Sequence, residues 1–142
     1  MSRLLKEKIN FVGEYVHKFD MNVRASDMIL GAHVSNSNIL LYNTEALADF
    51  LAKKNMKLSN VNGCSCMFNT VVLRYQKEVI YPEILTIRIG IFDVSKYRIT
   101  FYYVSNNSKG EVCHKSLIET IYIDNETRKI APTDSIIDIY RS

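Results

Sequence analysis

The stretch ILLYNTEALADFLAKK, at residues 39–54, decides the fold, because its apolar residues recur with a helical period. On a 3.6-residue wheel these residues fall within one wide arc, which predicts a helix lying on a core. The members of the arc are Ile39, Leu40, Ala46, Leu47, Phe50 and Leu51. The residues able to cap the helix start are Asn36, Ser37 and Asn38. Asn43 falls inside the arc, so its amide needs hydrogen-bond partners from a sheet or from a ligand.

Strand patterns flank this helix on both sides. Glu14–Val23 alternates between apolar and polar residues and precedes a turn-rich stretch, residues 24–38. Four further strand patterns follow the helix: Met67–Val79, Ile84–Val94, Tyr97–Ser105 and Val112–Asp124. The sequence NNSKG at residues 106–110 is typical of a hairpin turn between the last two. The order predicts one α+β domain over residues 1–142, with an antiparallel sheet wrapped round one long central helix.

Composition narrows the function classes. The chain has 142 residues, a net charge of +3 and no run of five or six lysines or arginines, so we expect no nucleic-acid partner. It also has no apolar run of about 18 residues, so we expect no membrane partner. The basic N-terminus lacks the apolar block of a secretion signal, which favours a cytoplasmic location.

The cysteines and histidines do not indicate a metal site or disulfides. Cys64 and Cys66 could form half of a metal site, but no histidine has the spacing that would complete it. Together with Cys113 they make an odd count, as in a reducing compartment. His17 and His114 fall in strand patterns, and we expect no chemical partner for either.

The predicted sheet leaves strand edges, and pairing of edges between subunits is a common way to cover them. Leu41, Ala48 and Ala52 lie on the helix arc away from the main apolar stripe, where a longer sheet or a second subunit can cover them. We therefore expect a homodimer or a homotetramer.

The turn-rich loop resembles a known motif. RASDMILGAHVSNSNIL, at residues 24–40, is similar to the signature R-x-x-D-x-D-x-x-G-H-V-N-N-x-x-Y-L of the 4-hydroxybenzoyl-CoA thioesterase-like hot-dog proteins. Asp27, His33, Val34, Asn36 and Leu40 match directly. The similarity extends from about residue 14 to residue 139, through the helix and the closing strand. It implies a hot-dog fold and hydrolysis of an acyl-CoA or acyl-carrier-protein thioester.

One departure from this motif changes the chemistry of the site. The second aspartate, the family's usual nucleophile or general base, falls on Ile29, which cannot exchange a proton. The resemblance leaves His33 and Asn36 to orient the substrate or the water, Asp27 to fix the loop, and Glu45 as an alternative carboxylate on the helix. Backbone N–H groups at the helix start are suited to hold the oxyanion.

The same resemblance points to a coenzyme A contact. Family members commonly place basic residues at the turn between the central strands, where this chain has Lys96 and Arg98. A solvated hairpin explains these two residues equally well. No separate cofactor is expected, because coenzyme A or phosphopantetheine is part of the substrate.

Two further functions stay open. A non-catalytic acyl-thioester-binding protein is favoured by Ile29, whereas the thioesterase is favoured by His33 and Asn36. A hot-dog dehydratase would pair a histidine with a helix carboxylate, as His33 and Glu45 could, but the glycine- and proline-rich surroundings expected of such enzymes are missing.

Overall fold

The computed structural model describes residues 9–142. Seven strands and two α-helices follow in chain order: β1 (Tyr15–Asn22), β2 (Met28–Ile29), β3 (His33–Val34), α1 (Asn36–Ala52), β4 (Cys64–Tyr75), β5 (Ile84–Val94), β6 (Ile99–Asn106), β7 (Val112–Asp124) and α2 (Ile137–Arg141). Short 3₁₀ turns occupy Ala25–Asp27 and Thr133–Ser135. No helix in this part of the chain is both long enough and apolar enough to cross a bilayer.

The main sheet has five antiparallel strands in the order β1-β5-β6-β7-β4. The two edges are therefore β1 and β4. β2 and β3 form a separate two-stranded hairpin. The expected α+β architecture, a sheet wrapped round one long helix, is confirmed. The predicted bounds of Ile84–Val94 and Val112–Asp124 agree with the structure, while β4 lies three to four residues earlier than predicted.

Helix α1 begins three residues earlier than its apolar pattern predicts. Its cap is Ser35, whose hydroxyl oxygen accepts a hydrogen bond from Asn38 N at 3.2 Å, so the expectation of a cap at residues 36–38 was wrong. The pattern missed the first turn because Asn36 and Ser37 face solvent and carry no apolar signal. The buried face of the helix packs on the sheet through Ile39, Tyr42, Ala46, Leu47, Phe50 and Leu51.

The core behind the second half of α1 contains four buried hydroxyl groups. Tyr122 and Tyr140 lie with their hydroxyl oxygens 2.7 Å apart, and Thr120 donates to Tyr122 at 3.0 Å. The fourth, Tyr103, is the one buried side-chain polar group within residues 9–142 that lacks a hydrogen-bond partner. An unpaired buried hydroxyl destabilises the fold, because it loses its hydrogen bonds to water without replacement.

A short segment before β1 crosses the outer face of the sheet. The ring of Phe11 stacks on Tyr102 with centroids 5.0 Å apart, and Ile9 is buried beside Leu117. Phe11 lies directly over Gly90, where any Cβ would stand 2.3 Å from the ring. The ring of Phe11 can thus pack at this position only because Gly90 has no side chain.

Candidate active site

The loop between β1 and α1 folds into a 3₁₀ turn and the β2–β3 hairpin. At the tip of the hairpin, Ala32 N donates to Ile29 O at 2.8 Å. Leu30 and Gly31 have φ angles of 50° and 71°, in the left-handed region that favours glycine. Leu30 is fully exposed and Ile29 is half-exposed. The motif position that lost its carboxylate therefore lies on an accessible tip.

Asp27 holds this loop against the helix. Its carboxylate accepts hydrogen bonds from the guanidinium of Arg24, at 3.0 and 3.3 Å, and from the hydroxyl of Tyr42. Its backbone oxygen accepts from the side-chain amide of Asn38 at 2.8 Å. Only 4% of Asp27 is exposed, so a bound substrate would not reach this carboxylate without displacing Arg24 or Tyr42.

The ionisation of this cluster follows from its hydrogen bonds. Burial alone would raise the pKa of Asp27, but the bonds from Tyr42 and Arg24 outweigh it and lower the pKa below its usual value. Burial, and then the bond to Asp27, raises the pKa of Tyr42. Asp27 is thus a stable anion. Sequence reasoning missed Tyr42, although a tyrosine within the buried arc of a helix signals a hydroxyl that needs a partner.

His33 lies on β3 with its ring half-buried. Its Nδ1 is 3.0 Å from the carbonyl oxygen of Val34. A carbonyl oxygen only accepts, so Nδ1 carries the proton and Nε2 of the neutral ring is an acceptor. Nε2 makes no hydrogen bond to any group in residues 9–142. This nitrogen is therefore able to take a proton from a bound water.

The first turn of α1 follows directly. Asn36 is exposed at its start, and its role as a cap is excluded by Ser35. Within the described chain, the backbone N–H groups of Asn36 and Ser37 have no acceptor, as is usual at a helix start. Unpaired donors at the positive end of a helix dipole favour negative charge.

A polar layer lies beneath the first half of α1. Asn43 donates to the hydroxyl of Ser116 at 3.1 Å, so the amide predicted to be buried finds its partner on the sheet. Two residues away on β7, His114 Nδ1 lies 2.9 Å from the Ser105 hydroxyl, and the ring meets Tyr75 edge-on. Burial lowers the pKa of His114 from 6.5 to about 4. The expectation that His114 has no chemical partner was wrong, because the sequence separates these groups that the sheet register joins.

The second histidine expected to be alone also has a partner. His17 Nε2 on β1 lies 2.8 Å from Asp49 Oδ2 on α1, and its ring packs on Phe50. This contact and Lys53 at 3.4 Å hold Asp49 half-buried. Glu45, one turn earlier, is exposed.

Lys96 and Arg98 lie in the β5–β6 turn at the opposite end of the helix from His33. The backbone oxygen of Lys96 accepts from Thr133 N, and the segment that follows Thr133 packs on the end of α1. Arg98 is 3.3 Å from Glu119. Within one chain, the structure does not bring this basic pair together with the loop residues.

An apolar cavity of about 310 Å³ lies between α1 and the edge strand β4. Its lining is Thr44, Leu58, Cys66, Met67 and Phe68. Burial raises the pKa of the Cys66 thiol to about 12, so this cysteine is a neutral apolar group at neutral pH. No cluster of three histidine, cysteine or acidic side chains in residues 9–142 is arranged to hold a metal ion.

Comparisons with known proteins agree with this architecture. The profile of the thioesterase-like superfamily matches residues 23–138. A DHNA-CoA thioesterase from Staphylococcus aureus superposes with a TM-score of 0.75 at 19% identity, over 88% of this chain and 85% of that one.

Two further structures are similar at lower identity. A 1,4-dihydroxy-2-naphthoyl-CoA thioesterase from Synechocystis gives a TM-score of 0.76 at 15% identity, over 87% of this chain and 93% of its own. A hypothetical protein from Staphylococcus aureus, solved in complex with CoA, gives 0.76 at 11% identity, over 93% and 84%. Among curated protein sequences, none matches this chain. The expected hot-dog fold is confirmed, and the expectation of a thioesterase-type hydrolase is supported.

Proposed function

This chain belongs to the thioesterase-like superfamily, and on that premise we propose that it hydrolyses an acyl-CoA thioester where the β2–β3 hairpin meets the start of α1. The observation that carries the proposal is the hydrogen bonding of the two ring nitrogens of His33. Its Nδ1 donates to the Val34 carbonyl oxygen, which leaves Nε2 as an acceptor. The backbone amides of Asn36 and Ser37, which have no acceptor in the part of the chain that the structure describes, follow three and four residues later in the chain.

In the proposed reaction, His33 Nε2 accepts a proton from water while the water oxygen bonds to the thioester carbonyl carbon. The carbonyl oxygen becomes negative and is stabilised by the backbone N–H groups of Asn36 and Ser37. When the carbonyl reforms, the C–S bond breaks and the proton held by His33 passes to the leaving thiolate. The products are a carboxylic acid and the free thiol of coenzyme A.

The other predicted residues have supporting roles in this scheme. Asp27 is a positioning residue, because its buried carboxylate ties the hairpin to Tyr42. The side chain of Asn36 is exposed beside the free amides, where it can orient the substrate. Glu45 stands on the outer side of α1 and takes no part within one chain. The 310 Å³ cavity next to β4 is apolar enough to take part of the acyl group.

We also propose a homodimer that pairs through β4. This strand is twelve residues long, lies at a sheet edge, has no proline or lysine, and carries its one charged residue, Arg74, next to its last position. Met67, Val71 and Tyr75 expose 50%, 40% and 45% of their surface along it. Met67→Lys should shift the assembly towards monomers in light scattering, whereas Ile130→Lys, at an apolar residue that is 43% exposed and does not lie on β4, should not. A monomeric wild-type protein would contradict this assembly.

Release of thiol from a panel of acyl-CoA substrates tests the reaction. His33→Gln keeps a polar side chain but removes the base, and should lower kcat by about 10²-fold or more. Asn36→Ala should raise KM with a smaller effect on kcat. If both variants retained full activity on a substrate that the wild type hydrolyses, the proposed location of the active site would be wrong.

The alternative function is binding of an acyl thioester without hydrolysis, and the observation that favours it is Ile29 at the position of the usual carboxylate. A binder would be stabilised against heat by acyl-CoA while no thiol appeared. Comparison of acyl-CoA with an acyl-carrier-protein bearing the same acyl group would identify the carrier.

A further inference from the structure

Two cations face each other at the end of the edge strand. Arg74 on β4 and Lys115 on β7 are directly paired in the sheet register. Their neighbours Leu73 and Ser116 point towards the helix, so this pair points to the outer face of the sheet. Like charges directly opposite each other in a sheet destabilise it.

The surrounding protein does not neutralise this pair. Within residues 9–142, neither side chain has a carboxylate within ion-pair distance or a hydrogen-bond partner. By contrast, Arg98 has Glu119 and Lys77 has Glu111 as ion-pair partners. The two free charges therefore create a local site that favours an anion.

A cavity of about 370 Å³ lies over the pair. Its lining combines the two cations with two side-chain amides, an aromatic ring and one aliphatic residue: Arg74, Lys115, Gln76, Asn10, Tyr75 and Ile9. Guanidinium and ammonium groups with additional amide donors are the groups that bind phosphate oxygens.

The cavity lies at the end of β4 that is nearest the polar layer beneath α1. Tyr75, which lines it, also packs against His114 in the polar layer beneath α1. Ser116, paired with Leu73, is the partner of Asn43 on the helix. The end of β4 thus passes beside the first half of α1, whereas Lys96 and Arg98 lie by its other end.

We propose that the cavity over Arg74 and Lys115 binds the phosphate groups of the coenzyme A carrier. This assignment rests on the proposed function, since it gives the location of the carrier for the same reaction. It replaces Lys96 and Arg98 as the phosphate contact within one chain.

The sheet contains a matched control. Lys18 on β1 and Arg88 on β5 are also directly paired cations, at the opposite edge of the sheet, but they do not line this cavity. Removal of either pair changes the net charge by the same amount. The two double variants therefore separate a local phosphate contact from a general effect of charge.

The experiment measures KM for an acyl-CoA and for the corresponding acyl-pantetheine, which lacks the phosphates. Arg74→Gln combined with Lys115→Gln should raise KM for acyl-CoA by roughly tenfold or more and leave KM for acyl-pantetheine unchanged. It should also reduce the dependence of KM on salt concentration. Lys18→Gln combined with Arg88→Gln should change neither value.

Binding of free coenzyme A and of inorganic phosphate, measured by calorimetry, keeps the two proposals distinguishable. If the wild type binds coenzyme A through this pair but hydrolyses nothing, the proposed reaction fails and the phosphate site stands. If the wild type hydrolyses acyl-CoA and the Arg74/Lys115 variant is unaffected, or the loss appears only with Lys96→Gln and Arg98→Gln, the phosphate site is wrong. Equal affinity of the cavity for inorganic phosphate and coenzyme A would also overturn it.

Discussion

Ile29 and His33 lie directly opposite each other in the β2–β3 hairpin. Side chains paired in this way project to the same side, with Cβ atoms about 5 Å apart. The residue at which the motif lost its carboxylate therefore stands beside the imidazole that has a free acceptor nitrogen. In this chain, the missing group and its proposed substitute are neighbours.

Ile29→Asp should restore a carboxylate at this point. Because Ile29 is half-exposed, the substitution removes little buried surface and should leave the free energy of unfolding nearly unchanged. We expect kcat for acyl-CoA hydrolysis to rise by about tenfold or more, since a positioned base typically contributes 10²–10⁴-fold. Ile29→Asn, similar in size but without a base, is the control. Equal rates for the two variants would show that this face of the hairpin is not the reaction site.

Tyr103→Phe should stabilise the protein. The substitution removes the buried hydroxyl that has no partner and leaves the ring in place. We expect the free energy of unfolding in urea to rise by about 1 kcal/mol. Tyr122→Phe should have the opposite effect, because the same chemical change there leaves the buried hydroxyl of Tyr140 without its partner, whereas Thr120 keeps its bond to Ile99 O. A loss of stability in Tyr103→Phe would mean that the hydroxyl is paired in solution.

Protonation of the buried His114 should destabilise the protein in mild acid. Its pKa is about 4 in the folded protein and about 6.5 when unfolded, so between these values the unfolded chain binds more protons. The free energy of unfolding is therefore at its full value above pH 6.5. As the pH drops towards 4, it falls by on the order of 3 kcal/mol in total. Urea titrations of the wild type and His114→Asn across this range measure the difference. A slope that is identical in both proteins would exclude His114 as its source.

Gly90→Ala should displace Phe11 from the outer face of the sheet. The new methyl group would lie 2.3 Å from the ring, so the ring must leave its stack on Tyr102. We expect a loss of about 1–2 kcal/mol in the free energy of unfolding. In a Phe11→Ala background the same substitution should be nearly neutral, since the clash is gone. Equal losses in both backgrounds would contradict this packing.

The fold could be predicted from the sequence because the apolar patterns that specify its helix and strands are local. The helical arc from Ile39 to Leu51 lies on the core, and the alternation in β5 and β7 fixed those strands to the residue. The start of α1 was predicted late because Ser35 caps the helix through a hydroxyl group, which leaves no trace in an apolar pattern.

The site was only partly predictable, because its contacts join distant parts of the chain. The loop motif identified Asp27 and His33, which lie within a few residues of their partners Arg24 and Val34. The pair His17–Asp49 depends on how β1 meets α1, and Arg74–Lys115 on the register of β4 with β7. Neither relation is encoded in spacing along the chain, so a single sequence could not provide it.

The anchor formed by Arg24, Asp27 and Tyr42 has a consequence for protein engineering. It fixes the β2 end of the hairpin, and the β3 end is held by Val34 N, which donates to Val79 O at 2.9 Å, so the side chains of Ile29 and Leu30 take no part in holding the loop. The side chain at Ile29 can be exchanged while the scaffold keeps its shape, whereas the positive φ angle of Leu30 favours glycine as its replacement. The tip is thus a natural place for directed evolution of new reactivity, with changes confined to two solvent-facing positions.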